Sequence, residues 1–133
     1  FVAGASHADV TVTEAWVRGT VPTQKATGAF MKLKSSQEAK LVGAASPAAK
    51  IVEVHEMAMK DNVMSMRAVD SVALPAGKSV EFRPGGYHVM LVDLVKPLAK
   101  GDKVPITLTI QDKDGKKSTV EVKAEVRAHG GGM

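Results

Sequence analysis

The 133-residue chain contains no cysteine. That excludes a disulfide framework and thiol redox chemistry. Aromatic residues are scarce, with one Trp, one Tyr and three Phe. Single-stranded nucleic acid is held on aromatic platforms along a basic groove. Here the net charge is only +4, and the lysines are scattered from Lys25 to Lys123 without forming a run. So mild and dispersed a balance describes a solvated surface, and no nucleic-acid partner is expected. No apolar run approaches the roughly 18 residues needed to span a bilayer, so no membrane span is expected either. No local motif supplies an activated nucleophile, or His and carboxylate ligands at zinc spacing, so the chain does not read as an enzyme.

What is present is a succession of short runs rich in Val, Ile, Thr and Leu, broken by Gly, Pro and Asp, with no long stretch of helical period. The fold class is therefore all-β, and the length suits one domain able to bury its core without disulfides. The expected strands are Val10 to Glu14, Ala29 to Lys34, Leu41 to Ala45, Ile51 to Met59, Val63 to Val69, Ser79 to Phe82, His88 to Leu94, Val104 to Gln111 and Ser118 to Val126. Nine short strands suggest a sandwich. Asp112-Lys113-Asp114-Gly115 is a strong hairpin signal, and Pro75-Ala76-Gly77 and Pro84-Gly85-Gly86 mark further turns. Residues 1–8 are set aside as a signal remnant or expression scar, since Ser6 and Ala8 offer the small side chains a signal peptidase reads. The domain is expected over residues 9–126, followed by a flexible Gly, His and Met tail over 127–133.

Four residues stand out against this background: His55, Met66, His88 and Met90. Methionine sulfur is a neutral, polarisable donor that suits Cu(I), whereas zinc is held by thiolate, imidazole or carboxylate and calcium or magnesium by oxygen. Thioethers and imidazoles together therefore point to monovalent copper. A thioether cannot be lost to a disulfide, so such a site suits copper handling outside the cytosol. Alternate residues of a strand share a face, which puts His55, Met57 and Met59 together on one strand, Met64 and Met66 on the next, and His88 and Met90 on a third. Lys60-Asp61-Asn62 is a short connection, so His55 and Met66 are expected on adjacent antiparallel strands, with Val52 and Val54 pointing into the core. Met57, Met59 and Met64 read as packing or an apolar rim, or as auxiliary ligands that join the copper transiently. An electron-transfer copper site is excluded, because it needs a cysteine thiolate.

Ten residues separate His55 from Met66, twenty-one separate Met66 from His88, and one separates His88 from Met90. This H-x10-M-x21-H-x-M spacing resembles the signature of the PCuAC family of periplasmic copper chaperones. The resemblance extends to Ala15-Trp16-Val17-Arg18, Ser46-Pro47, Val52-Glu53-Val54-His55-Glu56-Met57, Val63-Met64-Ser65-Met66-Arg67, Leu74-Pro75-Ala76-Gly77, Pro84-Gly85-Gly86-Tyr87-His88-Val89-Met90-Leu91 and Pro97-Leu98-x-x-Gly101-Asp102. It covers the chain from Asp9 to Val126. It implies a cupredoxin-like Greek-key β-sandwich or barrel, monomeric and periplasmic, that carries Cu(I) and delivers it to the CuA centre of cytochrome c oxidase. The implied partners are the copper-receiving subunit of that oxidase and a Sco-type thiol chaperone. Copper storage or resistance, with the same site sequestering the ion, is the alternative. Two neutral imidazoles and two neutral thioethers leave a site of charge +1, from which a thiolate-rich partner can draw the ion by ligand exchange. Some relatives carry Met- and His-containing C-terminal extensions, which makes His129 and Met133 candidate auxiliary ligands, able to capture Cu(II) at a secondary site. His7 would be a second Cu(II) anchor if the mature chain began at Ala5.

Overall fold

Val104, Ile106, Leu108 and Ile110 alternate with Pro105, Thr107 and Thr109 along one strand, and all four apolar side chains are buried. This period of two sets the architecture throughout. The computed structural model describes residues 9–20, 24–83 and 86–127, without the side chains of Ala58, Lys60 and Met64. The signal-remnant expectation for residues 1–8, His7, the Pro84-Gly85 pair, His129 and Met133 all lie outside the described residues.

Ten strands make up the described chain: β1 (Val10–Arg18), β2 (Ala26–Ser35), β3 (Ala39–Ala45), β4 (Ala49–Lys60), β5 (Val63–Ala68), β6 (Val72–Leu74), β7 (Ser79–Phe82), β8 (His88–Leu94), β9 (Lys103–Asp112) and β10 (Lys117–Arg127). There is no helix among the described residues. Hydrogen bonding links the strands in the order β5-β4-β8-β2-β1-β10-β9-β3-β6, with β7 also on β2. Val17, Met31, Leu41, Val54, Phe82, Leu91, Ile106 and Val122, drawn from eight different strands, belong to a single buried cluster, so the sheet wraps around one core. The all-β expectation holds.

Two elements differ from the sequence reading. A tenth strand, β6, was not expected, because its three residues are too few for alternation to be read. β1 runs four residues past Glu14, where the first run seemed to end. Glu14 adopts a positive φ of 54°, and the pairing with β2 shifts register between Thr13 and Trp16. This bulge resets the alternation. Beyond it, Trp16 and Val17 pair with β2 on one side, and Trp16, Val17 and Arg18 run parallel to β10 on the other, with Arg18 opposite Arg127. The expected hairpin at Asp112 forms as read: Asp112 Oδ1 accepts from the backbone N–H groups of Asp114 and Lys116, both at 2.9 Å, and Gly115 supplies the positive φ.

β2 is buried on both faces. Ala29, Met31 and Leu33 enter the main cluster, while Phe30 points the other way and is also buried. That second, outer face of the sheet carries His55, Met57, Met66, His88 and Met90.

Candidate metal centre

Asp61 and Asn62 both adopt positive φ, 53° and 64°, as a two-residue type I′ hairpin turn requires. The turn joins β4 to β5 and fixes their register: His55 opposite Ala68, Met57 opposite Met66, Met59 opposite Met64. On its other side β4 pairs with β8, His55 opposite His88 and Glu53 opposite Met90. β8 in turn pairs with β2, Met90 opposite Gly28. Three neighbouring strands thus present His55, Met57, Met66, His88 and Met90 on one face, as alternation had implied. Val54 is buried in the core and Val52 packs against it, on the opposite face. His55 and Met66 lie on adjacent strands but diagonally, and the residue directly across from Met66 is Met57.

The imidazole of His88 is oriented by the backbone. Its Nδ1 lies 3.1 Å from the Gly86 carbonyl oxygen, which also accepts from the Met57 N–H at 3.3 Å. A carbonyl only accepts, so the proton of the neutral ring sits on Nδ1 and the lone pair is left on Nε2. That Nε2 lies 3.0 Å from Met66 Sδ. Two electron-pair donors therefore face one another without a proton between them, an arrangement that an electron-pair acceptor would complete. Burial lowers the pKa of His88 below the ordinary histidine value; the Gly86 hydrogen bond opposes this, and the charges of His55 and Arg18 add to it. The ring is thereby kept in its ligating, neutral form.

His55 presents the other nitrogen. Its Nε2 lies 2.9 Å from Glu53 Oε1, while Nδ1 is buried with no hydrogen-bond partner among the described residues. An unsatisfied buried nitrogen costs about 1–3 kcal/mol. The two imidazole rings lie 5.8 Å apart between centroids.

Met57, Met66, His88 and Met90 line one open depression of about 300 Å³. Met66 is half exposed, and Met57 and Met90 are partly buried. His55 joins the group through its ring contact with His88. Met59 is 63% exposed near the hairpin tip, outside the depression. Met64 is seen only through its backbone pairing with Met59. Among the described residues no three His, Asp or Glu side chains cluster at metal-binding distance. The donor set is soft, with two imidazoles and several thioethers, and suits a soft cation far better than an oxygen-seeking one.

The rest of the depression was not legible as part of the site. Arg18, Gln24, Gly28 and Phe30 line it as well. The Phe30 ring packs against Trp16 at 4.7 Å and His88 at 6.2 Å between centroids, backing the imidazole. A Cβ at Gly28 would come within 3.1 Å of Phe30 Cζ, so glycine there leaves room for the ring beside the site. In the sequence Phe30 sits within Ala29-Phe30-Met31, an apolar run that reads as core; only the register reveals its outward face.

Fold and site together define a small β-barrel-like domain with a shallow His/Met donor cluster on its outer sheet face. The chain belongs to the LpqE-like family of PCuAC type, whose family model, described as "Putative lipoprotein LpqE-like", matches residues 10–126. It is 35% identical over 115 residues to "Putative lipoprotein Lxx21020" of Leifsonia xyli, covering 86% of this chain and 69% of the relative. The solution structure of Cu(I)-DR1885 from Deinococcus radiodurans is 37% identical, with a TM-score of 0.66, covering 94% of this chain and 83% of that one. The copper-bound PCuAC domain from PmoF2 superposes with a TM-score of 0.70 at 22% identity, over 96% of this chain and 99% of that one, a likeness of fold. The architecture is the cupredoxin-like fold of PCuAC domains.

Proposed function

We propose that this protein is a copper chaperone that binds one Cu(I) through His55, Met66, His88 and Met90 and gives it up to a thiolate-bearing acceptor. The observation that carries the reading is the approach of His88 Nε2 to Met66 Sδ, two lone-pair donors 3.0 Å apart with the imidazole proton committed to Gly86. The buried Nδ1 of His55, which has no hydrogen-bond partner among the described residues, supports a second nitrogen ligand, and Met90 in the depression beside His88 a second sulfur. DR1885 and the PmoF2 domain, both solved with copper, support the choice of ion. Met57 is well placed to share the ion in transit, since it lines the depression opposite Met66. Met59 acts as an exposed apolar rim.

The acceptor in this reading is the copper-receiving subunit of cytochrome c oxidase at its CuA centre, with a Sco-type thiol chaperone serving the same centre. The protein works outside the cytosol, in the periplasm, a placement supported by the lipoprotein names of its family and of the Leifsonia relative. The test is to load the protein with Cu(I), add the soluble oxidase subunit and follow the metal by size-exclusion chromatography with copper analysis. Copper is expected to move to the subunit. Full retention would indicate storage and contradict delivery.

Acid should release the ion. The folded protein binds a proton at His88 less readily than the unfolded chain, whose imidazole titrates near pH 6.5. The contribution of neutral His88 to stability is therefore complete above about pH 6.5 and is lost as the pH falls through its lowered folded pKa. Cu(I) competes for the same lone pair, so affinity should hold above about pH 6.5 and then fall about tenfold per unit once His88 protonates. Equal Cu(I) affinity at pH 5 and pH 7.5, measured by competition with a chromophoric chelator, would remove His88 from the ligand set.

A further inference from the structure

Arg18 is brought to the site by the bulge in β1. Because the register restarts there, Trp16 opposes Phe30, and Arg18 follows two residues on, on the same outer face. Its guanidinium carbon lies 5.6 Å from the centroid of the Phe30 ring, and it lines the depression that holds His88, Met57, Met66 and Met90. The guanidinium is charged at every accessible pH. The copper site gains nothing from that charge, since four neutral ligands around Cu(I) already leave a cation, and a second positive charge nearby repels it. The sign suits an anion instead.

The space suits one too. A depression of about 300 Å³ is far larger than a single ion needs, given that one water molecule occupies roughly 30 Å³. Gly28, which has no side chain, and Gln24 line it beside Arg18. Met66, half exposed on the edge strand β5, is free on its solvent side to leave the group.

We infer that the depression contains a second subsite beside the copper, which receives an anionic sulfur ligand, a thiolate, with Arg18 holding its negative charge during transfer. The inference rests on the copper-binding reading above. In the exchange step the thiolate sulfur forms a bond to Cu(I) as the bond from Met66 Sδ breaks. Copper remains Cu(I) throughout, the thiolate arrives already deprotonated, and no electron changes hands. Arg18 thereby neutralises the incoming charge and lowers the barrier to the shared-ligand intermediate.

The test compares two small acceptors in stopped-flow transfer from the Cu(I)-loaded protein: dithiothreitol, which attacks as a thiolate, and tris(hydroxypropyl)phosphine, a neutral soft donor. Arg18→Leu keeps an apolar stem over Phe30, removes the charge and adds no sulfur donor beside the copper; Arg18→Lys restores the charge. At equal copper occupancy Arg18→Leu should slow transfer to dithiothreitol about tenfold, the scale of electrostatic steering, and transfer to the phosphine by less than about twofold. Arg18→Lys should recover most of the thiol rate. In the unaltered protein, raising the salt concentration should slow the thiol reaction alone. Equal slowing of both acceptors, no slowing of either, or a salt response common to both would overturn the inference while leaving copper binding intact. Failure of the unaltered protein to load Cu(I) would overturn both.

Discussion

Met66→Ala combined with Met90→Ala is expected to weaken Cu(I) binding at least a hundredfold. Losing an outer-shell partner of a metal ligand already costs about 10–100-fold, and here both sulfur ligands would go. The remaining imidazoles are less selective for the reduced ion, so the preference over Cu(II) should narrow as well. The fold should survive, because Met66 is half exposed on an edge strand and Met90 lies outside the main buried cluster. Met66→Ala alone should do less harm, since Met57 faces it across the hairpin and lines the same depression. Competition against a chromophoric Cu(I) chelator measures all of these, with circular dichroism as the control. Binding of the double variant within about threefold of the parent, a difference of under 1 kcal/mol, would mean that the thioethers are not ligands.

Phe30→Ala should give the other large effect, this time on both stability and the site. Phe30 is 4% exposed and packs against Trp16, His88 and the guanidinium of Arg18. Truncating a buried Phe to Ala costs about 3–5 kcal/mol, a large share of the roughly 5–15 kcal/mol that holds a domain together. The ring is also the backing of His88. Its loss should loosen the imidazole and lower Cu(I) affinity, whereas Phe30→Leu should retain more of both. Urea unfolding of the copper-free protein gives the first quantity and chelator competition the second. A loss of stability below about 1 kcal/mol would show that the outer aromatic cluster is not a structural element of its own.

Much of the site could be read from the sequence because strand alternation is a strict rule. Once His55, Met66, His88 and Met90 were placed on strands, their common face followed. Two things escaped. Strand pairing decides which residues meet across a hairpin, and the tight Asp61-Asn62 turn sets Met57, rather than His55, directly opposite Met66. The bulge at Glu14 broke the pattern in β1, so the expected strand stopped at Glu14, whereas Trp16 and Arg18 continue it onto the site face. Phe30 was hidden for the opposite reason: an apolar residue between apolar neighbours gives no sign that it faces away from the core. Glu53, two residues before His55 and bonded to its Nε2, was visible as a residue but not as the partner that leaves Nδ1 free. Apart from Glu53, these omissions turn on pairing and register between residues distant in sequence.

X-ray absorption on the Cu(I)-loaded protein at neutral pH tests the ligand assignment most directly. One copper per chain is expected, with a first shell of imidazole nitrogen at about 2.0–2.1 Å and thioether sulfur near 2.3 Å, distances typical of nitrogen and sulfur ligands to a metal of this size. The sulfur contribution should fall sharply in the Met66→Ala, Met90→Ala variant, which leaves Met57 as the thioether lining the depression. A shell of oxygen or nitrogen alone in the unaltered protein, or a sulfur signal undiminished in the variant, would contradict the His55, Met66, His88 and Met90 site.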